Sequence, residues 1–267
     1  MGCLQTTAVS SESLVLNHLQ RNAKKLTIKF SSGTQLYIDN CSVIWKLCTV
    51  SNAEVLTLLY ARNLSIMTLP NCRYILSPSA CNKLSATVLC TCMPSAKIDL
   101  FEWVQQPFSW ETAAGYLTDV ARGILWLHRH GIGHGDIKPE NVVIGTENAM
   151  LIDFDFSVPF KEWHYCGTPY YIAPGNLIKK WKGPNCDISR RMDVYAYGKT
   201  ILTVLYFYME HSSEKTSDWF RKPYIAKNCQ HGYTGQQQVW GDLAFECCRQ
   251  VPCLEILEHI DKQRGRK

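Results

Sequence analysis

Within LHRHGIGHGDIKPENVVI, residues 127–144, an acid at Asp136 is followed two residues on by Lys138 and five on by Asn141. An acid, a cation and an amide in one loop ahead of an apolar run suit a general base, a phosphate-neutralising charge and a metal ligand aimed at one point. Nine residues beyond Ile144, Asp153 closes an apolar stretch in LIDFDFS. It supplies a carboxylate for a hard, oxygen-loving cation.

The elements on either side must hold these groups. Ser109 is a good helix N-cap with Glu111 in the first turn, and Ala113, Leu117, Val120, Ile124 and Leu127 then recur at four-three-four-three intervals. That spacing predicts an amphipathic helix ending near Gly131, directly before the acid-bearing loop. Asn141–Ile144 and Met150–Phe154 read as strands, and Met192–Met209, Val239–Arg249 and Leu254–Lys262 as helices. Upstream, the β-prone runs Leu26–Phe30, Leu36–Ile38 and Val43–Leu47 are separated by SSGT and DNC, which predicts an antiparallel meander. Arg73–Leu76 and Ala86–Cys92 bracket a Ser-Pro-Ser turn, and Val55, Leu58, Leu59 and Arg62 place a helix over Asn52–Arg62. The expected architecture is α+β: a small antiparallel five-stranded lobe with one helix, then a mainly helical lobe.

Composition sets the outer limits. A chain of 267 residues suits one large domain or two small lobes at roughly 100 to 200 residues per domain. With 46% apolar and 19% charged residues it should fold, and a net charge of +5 is too mild for a dedicated nucleic-acid binder. The 13 cysteines show no pairing rhythm and no zinc-knuckle gap, so they read as free thiols. The start, MGCLQTTAVSS, lacks the basic region and apolar run of a secretory signal, which makes a cytoplasmic location the default. Val194–Met209 is too short for a membrane span and contains Lys199, so it reads as a buried core helix.

His134, Asp136, Lys138, Pro139 and Asn141 resemble the catalytic loop of the eukaryotic protein-kinase family, and Asp153-Phe154 its metal-binding pair. Further on, Gly167, Thr168, Tyr171, Ala173 and Pro174 are similar to the substrate-side end of its activation segment, and Asp193-Val194 with Gly198 to the start of its buried central helix. The resemblance implies a two-lobed kinase-like fold: a tail over 1–24, an N-lobe over 25–93, a C-lobe over 94–262 and a basic tail over 263–267. It implies ATP and Mg²⁺ as cofactors and a protein substrate. Asp136 would accept the proton of the substrate hydroxyl, Lys138 would steady the transferred phosphoryl group, and Asn141 and Asp153 would hold Mg²⁺. Lys138 and Thr168 in GTPYYIAP resemble the serine/threonine branch.

In the first lobe the resemblance gives Lys46 as the nucleotide anchor, Glu54 as its ion-pair partner, Gly33 as the single glycine of a phosphate-covering loop, Cys90 as the gate to an adenine pocket, and Thr91, Cys92 and Met93 as a hinge strand. Each has a plainer competitor: a solubilising edge-strand lysine, a hairpin-turn glycine and a buried core strand. The short lobe resembles the pared-down kinases of large DNA viruses, and a divergent cellular kinase fits the same text.

Three positions depart from the family pattern. Gly135 stands for the arginine before the catalytic acid, Asp155 for the glycine after the metal-binding pair, and Gly175 for the glutamate of Ala-Pro-Glu. They keep open a second class, a pseudokinase acting as scaffold or decoy inhibitor of another kinase. A small-molecule kinase of related fold is a third, disfavoured by the segment from Asp153 to Pro174. Separately, Gly2 with Thr6 fits the N-myristoylation pattern and Cys3 could take palmitate, giving peripheral membrane attachment; an ordinary tail is the alternative. Oligomeric state is not readable.

Overall fold

The computed structural model describes residues 11–26, 33–160, 166–181, 187–211 and 235–249. The chain divides into two units, Met1–Pro70 with Ser77–Ser95 and Asn71–Leu76 with Ala96–Lys267.

In the first unit, helix α1 (Ser11–Asn22) leads into strands β1 (Ala23–Leu26), β2 (Thr34–Asp39) and β3 (Val43–Thr49). Helix α2 (Ala53–Met67) and strands β4 (Ala80–Lys83) and β5 (Val88–Pro94) follow. All pairings are antiparallel and the order is β1-β2-β3-β5-β4. Asp39 makes the β2–β3 turn: its Oδ1 accepts from the backbone N–H groups of Cys41 and Val43, and its Oδ2 from the Trp45 indole at 2.8 Å. The indole bond, then that of Val43, holds its carboxyl below the usual range. The Asn52 side chain caps α2 by accepting from Val55 N at 2.9 Å.

The two faces of the sheet are covered by different helices. Leu47, Cys90 and Cys92 pack with Leu19 of α1, and Cys48, Cys81 and Leu89 with Leu56 of α2. Leu19 is fully buried, a burial worth about 1.5–3 kcal/mol. Residues 11–22, expected as tail, are therefore a docked helix. The fifth strand also differs from expectation, since Ala80–Lys83 rather than Arg73–Leu76 pairs with β5. Residues 27–30 of the expected first strand lie outside the described residues, and β1 starts at Ala23.

The second unit begins with β6 (Ile98–Asp99), α3 (Leu100–Val104), α4 (Trp110–Arg129) and β7 (Ile132–Gly133). After a 3-10 turn at Pro139–Asn141 come β8 (Val142–Ile144), β9 (Ala149–Leu151), β10 (Val158–Pro159), α5 (Gly175–Lys180), α6 (Ile188–His211) and α7 (Gln236–Arg249). The short strands form a β6-β8-β9 sheet and a β10-β7 pair. Ser109 caps α4 as expected, accepting from Thr112 N. The buried stripe of α4 includes Leu117, Val120, Ile124 and Leu127. The Tyr197 hydroxyl of α6 donates to Leu117 O at 2.9 Å. α6 buries side chains all round, from Val194 to Leu205, as befits a central helix. No described helix is long and apolar enough to cross a membrane.

Arg73–Leu76 finds its partner in this unit: Ile75 bridges Leu151, Leu76 N donates to Leu151 O, and Leu151 N to Tyr74 O. β9 stops at Leu151, short of the expected Phe154, because Asp153 adopts φ +65°, incompatible with a continuing strand. The expected helix over 254–262 lies outside the described residues. The nine described cysteines are free thiols.

Candidate functional site

Both oxygens of the buried Asp136 carboxylate are used. Oδ1 accepts from the Thr168 backbone N–H and hydroxyl, each at 2.8 Å. Oδ2 accepts from Asn141 Nδ2 at 2.9 Å and lies 2.7 Å from the Lys138 ammonium. Lys138 also donates to Thr168 Oγ1 at 2.7 Å. Three residues singled out from the sequence, Lys138, Asn141 and Thr168, thus converge on the carboxylate of a fourth, Asp136, and their bonds fix its direction. Thr168 reaches it from 32 residues away.

A second acid, absent from the sequence-derived site, sets the loop itself. Asp193 of α6, 1% exposed, accepts from His134 N at 2.8 Å through Oδ2 and from Gly135 N at 2.9 Å through Oδ1. His128 Nε2 of α4 meets the same Oδ2 at 2.9 Å. A buried carboxyl group satisfied by backbone donors and an imidazole is a rigid anchor. The signal was present as an acid within an apolar helical run.

Gly135 has a backbone reason of its own. Its φ is +83°, and a Cβ there would stand 2.4 Å from Phe156 O. The arginine expected by the family pattern cannot occupy this backbone without strain. We expect Gly135→Arg to lose about 1–3 kcal/mol through the backbone alone, seen as a melting temperature several degrees lower. Gly115→Ala, where a Cβ meets nothing within 4 Å, is the control that should not destabilise. A Gly135→Arg protein as stable as the parent would refute this reading.

Asn141 and Asp153 are tied together by Ile152 N donating to Asn141 O at 3.0 Å. Asn141 spends its Nδ2 on the carboxylate and main-chain oxygens of Asp136, which leaves Oδ1 as the amide's remaining acceptor. Asp153 is half-buried, and its Oδ1 faces Asp155 N at a long 3.5 Å. Among the described residues no three His, Cys, Asp or Glu side chains form a metal cage. One amide oxygen and one carboxylate fit Mg²⁺, which binds through one or two protein oxygens and completes its shell with phosphates and water.

The other sequence-derived residues belong to the first unit. Lys46 is buried on β3 opposite Thr91 of β5, and Ile44 is opposite Met93. Directly paired residues share a face, so Thr91 and Met93 lie on the Lys46 side. Cys92 and Cys90, opposite Trp45 and Leu47, turn to the α1 side. Cys90, expected as a gate, therefore faces Leu19 instead of the Lys46 side, where its bond with Cys92 and its burial push the thiol pKa up. Residues 91–93, expected as a hinge strand, lie within β5, which runs to Pro94.

Glu54 is exposed, about 200° round α2 from the buried Leu56. Among the described residues no ion pair joins it to Lys46, and the polar side chain that α2 does bury is Asn63. Gly33 has φ +107° with its Cβ position 2.6 Å from Thr49 O, so close strand approach by itself requires glycine there. Residues 27–32 and the lipidation candidates Gly2 and Cys3 lie outside the described residues.

A family model described as "Protein kinase domain" matches residues 39–248. The probable serine/threonine-protein kinase fhkC of Dictyostelium discoideum is 29% identical over 157 residues, 55% of this chain and 25% of that protein. The cGMP-dependent protein kinase egl-4 of Caenorhabditis briggsae is 36% identical over 74 residues, 26% of this chain and 10% of that protein. The serine/threonine-protein kinase PLK4 of Xenopus tropicalis is 33% identical over 90 residues, 32% of this chain and 10% of that protein. The matches span a quarter or less of these relatives' length.

Proposed function

Because the chain belongs to the protein kinase family, we propose that it transfers the γ-phosphate of Mg·ATP to serine or threonine hydroxyls of protein substrates. The observation that carries this is the Asp136 carboxylate with Lys138 and the Thr168 hydroxyl against it. The Thr168 hydroxyl already donates to Asp136, and an incoming substrate hydroxyl makes the same bond. Asp136 then takes the proton as the substrate oxygen attacks, and Lys138 balances charge on the moving phosphoryl group. Asn141 Oδ1 and the Asp153 carboxylate would hold Mg²⁺, which would supply neutralisation of the phosphate oxygens. Lys46, with Thr91 and Met93 on its side of the sheet, serves the nucleotide, and Gly33 contributes backbone to the loop over its phosphates. Phosphoamino-acid analysis of a labelled protein substrate tests the acceptor class: phosphoserine and phosphothreonine are expected, and phosphotyrosine alone would overturn it.

A pseudokinase acting as scaffold or decoy is the second reading, favoured by Glu54 facing away from the sheet that carries Lys46. A cytoplasmic location, the lobe limits 25–93 and 94–262, and lipid attachment at Gly2 and Cys3 are further proposals that rest on the sequence pattern.

Activity should also be constitutive. Gly135 brings no cation to a phosphorylated activation segment. Of the candidate acceptors there, Ser157 is 1% exposed with its hydroxyl donating to Phe154 O, and Thr168 is bound to Asp136. Tyr165 lies outside the described residues. Phosphatase-treated protein should keep most of its turnover. A loss of about tenfold, restored by an upstream kinase, would contradict this.

A further inference from the structure

In the middle of α6 the side chain of Lys199 is 1% exposed, and its ammonium stands 3.9 Å from the centroid of the Tyr170 ring. An ammonium taken out of water is costly unless the interior meets it with negative potential. The face of an aromatic ring does so, and most strongly when both are desolvated. Burial lowers the Lys199 pKa, opposed by the Cys248 thiol, which burial pushes up to about 12.

One turn along α6, Thr203 Oγ1 meets the Tyr171 hydroxyl at 3.4 Å. Positions 199 and 203 lie on one face of the helix. The adjacent tyrosines, T-shaped at 5.0 Å, therefore grip a single stripe of α6. Tyr171 N donates to Thr168 O at 2.9 Å, and Thr168 is the residue that meets Asp136 through its backbone and hydroxyl. A continuous path of contacts runs from the buried cation to the carboxylate.

We propose that Lys199 is a positioning residue whose cation–π contact with Tyr170 locks the 168–171 turn onto α6 and thereby fixes the surface that receives the protein substrate. This rests on the kinase reading. Asn141 holds Asp136 independently of the turn and Lys138 meets its Oδ2 directly, so loosening the turn should weaken substrate docking more than chemistry.

The test compares Lys199→Met, Tyr170→Leu, Tyr170→Phe and the Lys199→Met/Tyr170→Leu double variant. Lys199→Met and Tyr170→Leu should each raise KM for a protein substrate roughly 3- to 30-fold, with KM for ATP unchanged and kcat reduced less. Tyr170→Phe, which keeps the ring face, should be less impaired than Tyr170→Leu, and the double variant should be no worse than the worse single one. Amide exchange at Thr168 and Tyr171 supplies a readout independent of turnover, faster in Lys199→Met and Tyr170→Leu than in Tyr170→Phe. Additive effects in the double variant, Tyr170→Phe as impaired as Tyr170→Leu, or Lys199→Met with unaltered KM and exchange would overturn the proposal. If wild-type protein transfers no phosphate, the kinase reading falls, and the exchange measurements still decide whether Lys199 locks the turn.

Discussion

Asp136→Asn should lower turnover by roughly 10²- to 10⁴-fold while leaving nucleotide binding nearly unchanged. The carboxylate faces four donors: the Thr168 N–H and hydroxyl, the Asn141 amide and the Lys138 ammonium. An asparagine amide removes the base and also sets an N–H₂ group against at least one of them. The Thr168 backbone N–H cannot reverse, so Asn must turn its Nδ2 toward the Lys138 and Asn141 donors, which then lose their acceptor. An unsatisfied buried group costs about 1–3 kcal/mol, and a modest fall in melting temperature should accompany the kinetic loss. Initial rates with protein substrate, together with the ATP-induced melting shift of each protein, separate the two effects.

The second large effect is on the metal. Mg·ATP at about 100 times its Kd should stabilise the fold by roughly 2.7 kcal/mol. At about 2–4 °C per kcal/mol for a domain of this size, that is a melting rise of roughly 5–10 °C. Asp153→Ala removes the one carboxylate of the pair, and should abolish the Mg²⁺-dependent part of the rise and lower turnover by at least roughly 100-fold. Asn141→Ala should do the same while also freeing Asp136 Oδ2 from one donor. An equal rise with chelator present would remove the metal assignment.

The Asp136 cluster was legible because its parts are short-range: an acid, a lysine and an amide in six residues, with a following strand to fix the loop. Other features depend on pairings that one-dimensional spacing does not carry. Ile75 and Leu76 read as strand, but their partner is Leu151 in the second unit. The true edge strand, ACNK, is short and polar because edges are protected that way. Cys90 and Thr91 differ by one residue, and only the β3–β5 register says that Thr91 shares the face of Lys46. Among the described side chains α1 fully buries only Leu19, too thin a stripe to stand out in SESLVLNHLQRN. Glu54 was chosen as the acid at the head of the helix that follows Lys46, yet the buried face of α2, marked by Leu56, Asn63 and Ile66, carries no acid. Gly135 read as a missing arginine, whereas its φ and the nearness of Phe156 O make glycine a requirement of the loop.

The central claim is that the Asp136 carboxylate performs phosphoryl transfer, and it is tested most directly by comparing wild type with Asp136→Asn in a radiolabelled γ-phosphate assay with saturating Mg·ATP and generic basic and acidic protein substrates. The expected result is wild-type transfer at least about 100-fold above the variant, abolished by chelator. Wild-type protein indistinguishable from Asp136→Asn, with both still binding nucleotide, would contradict it and establish a non-catalytic binding protein in its place.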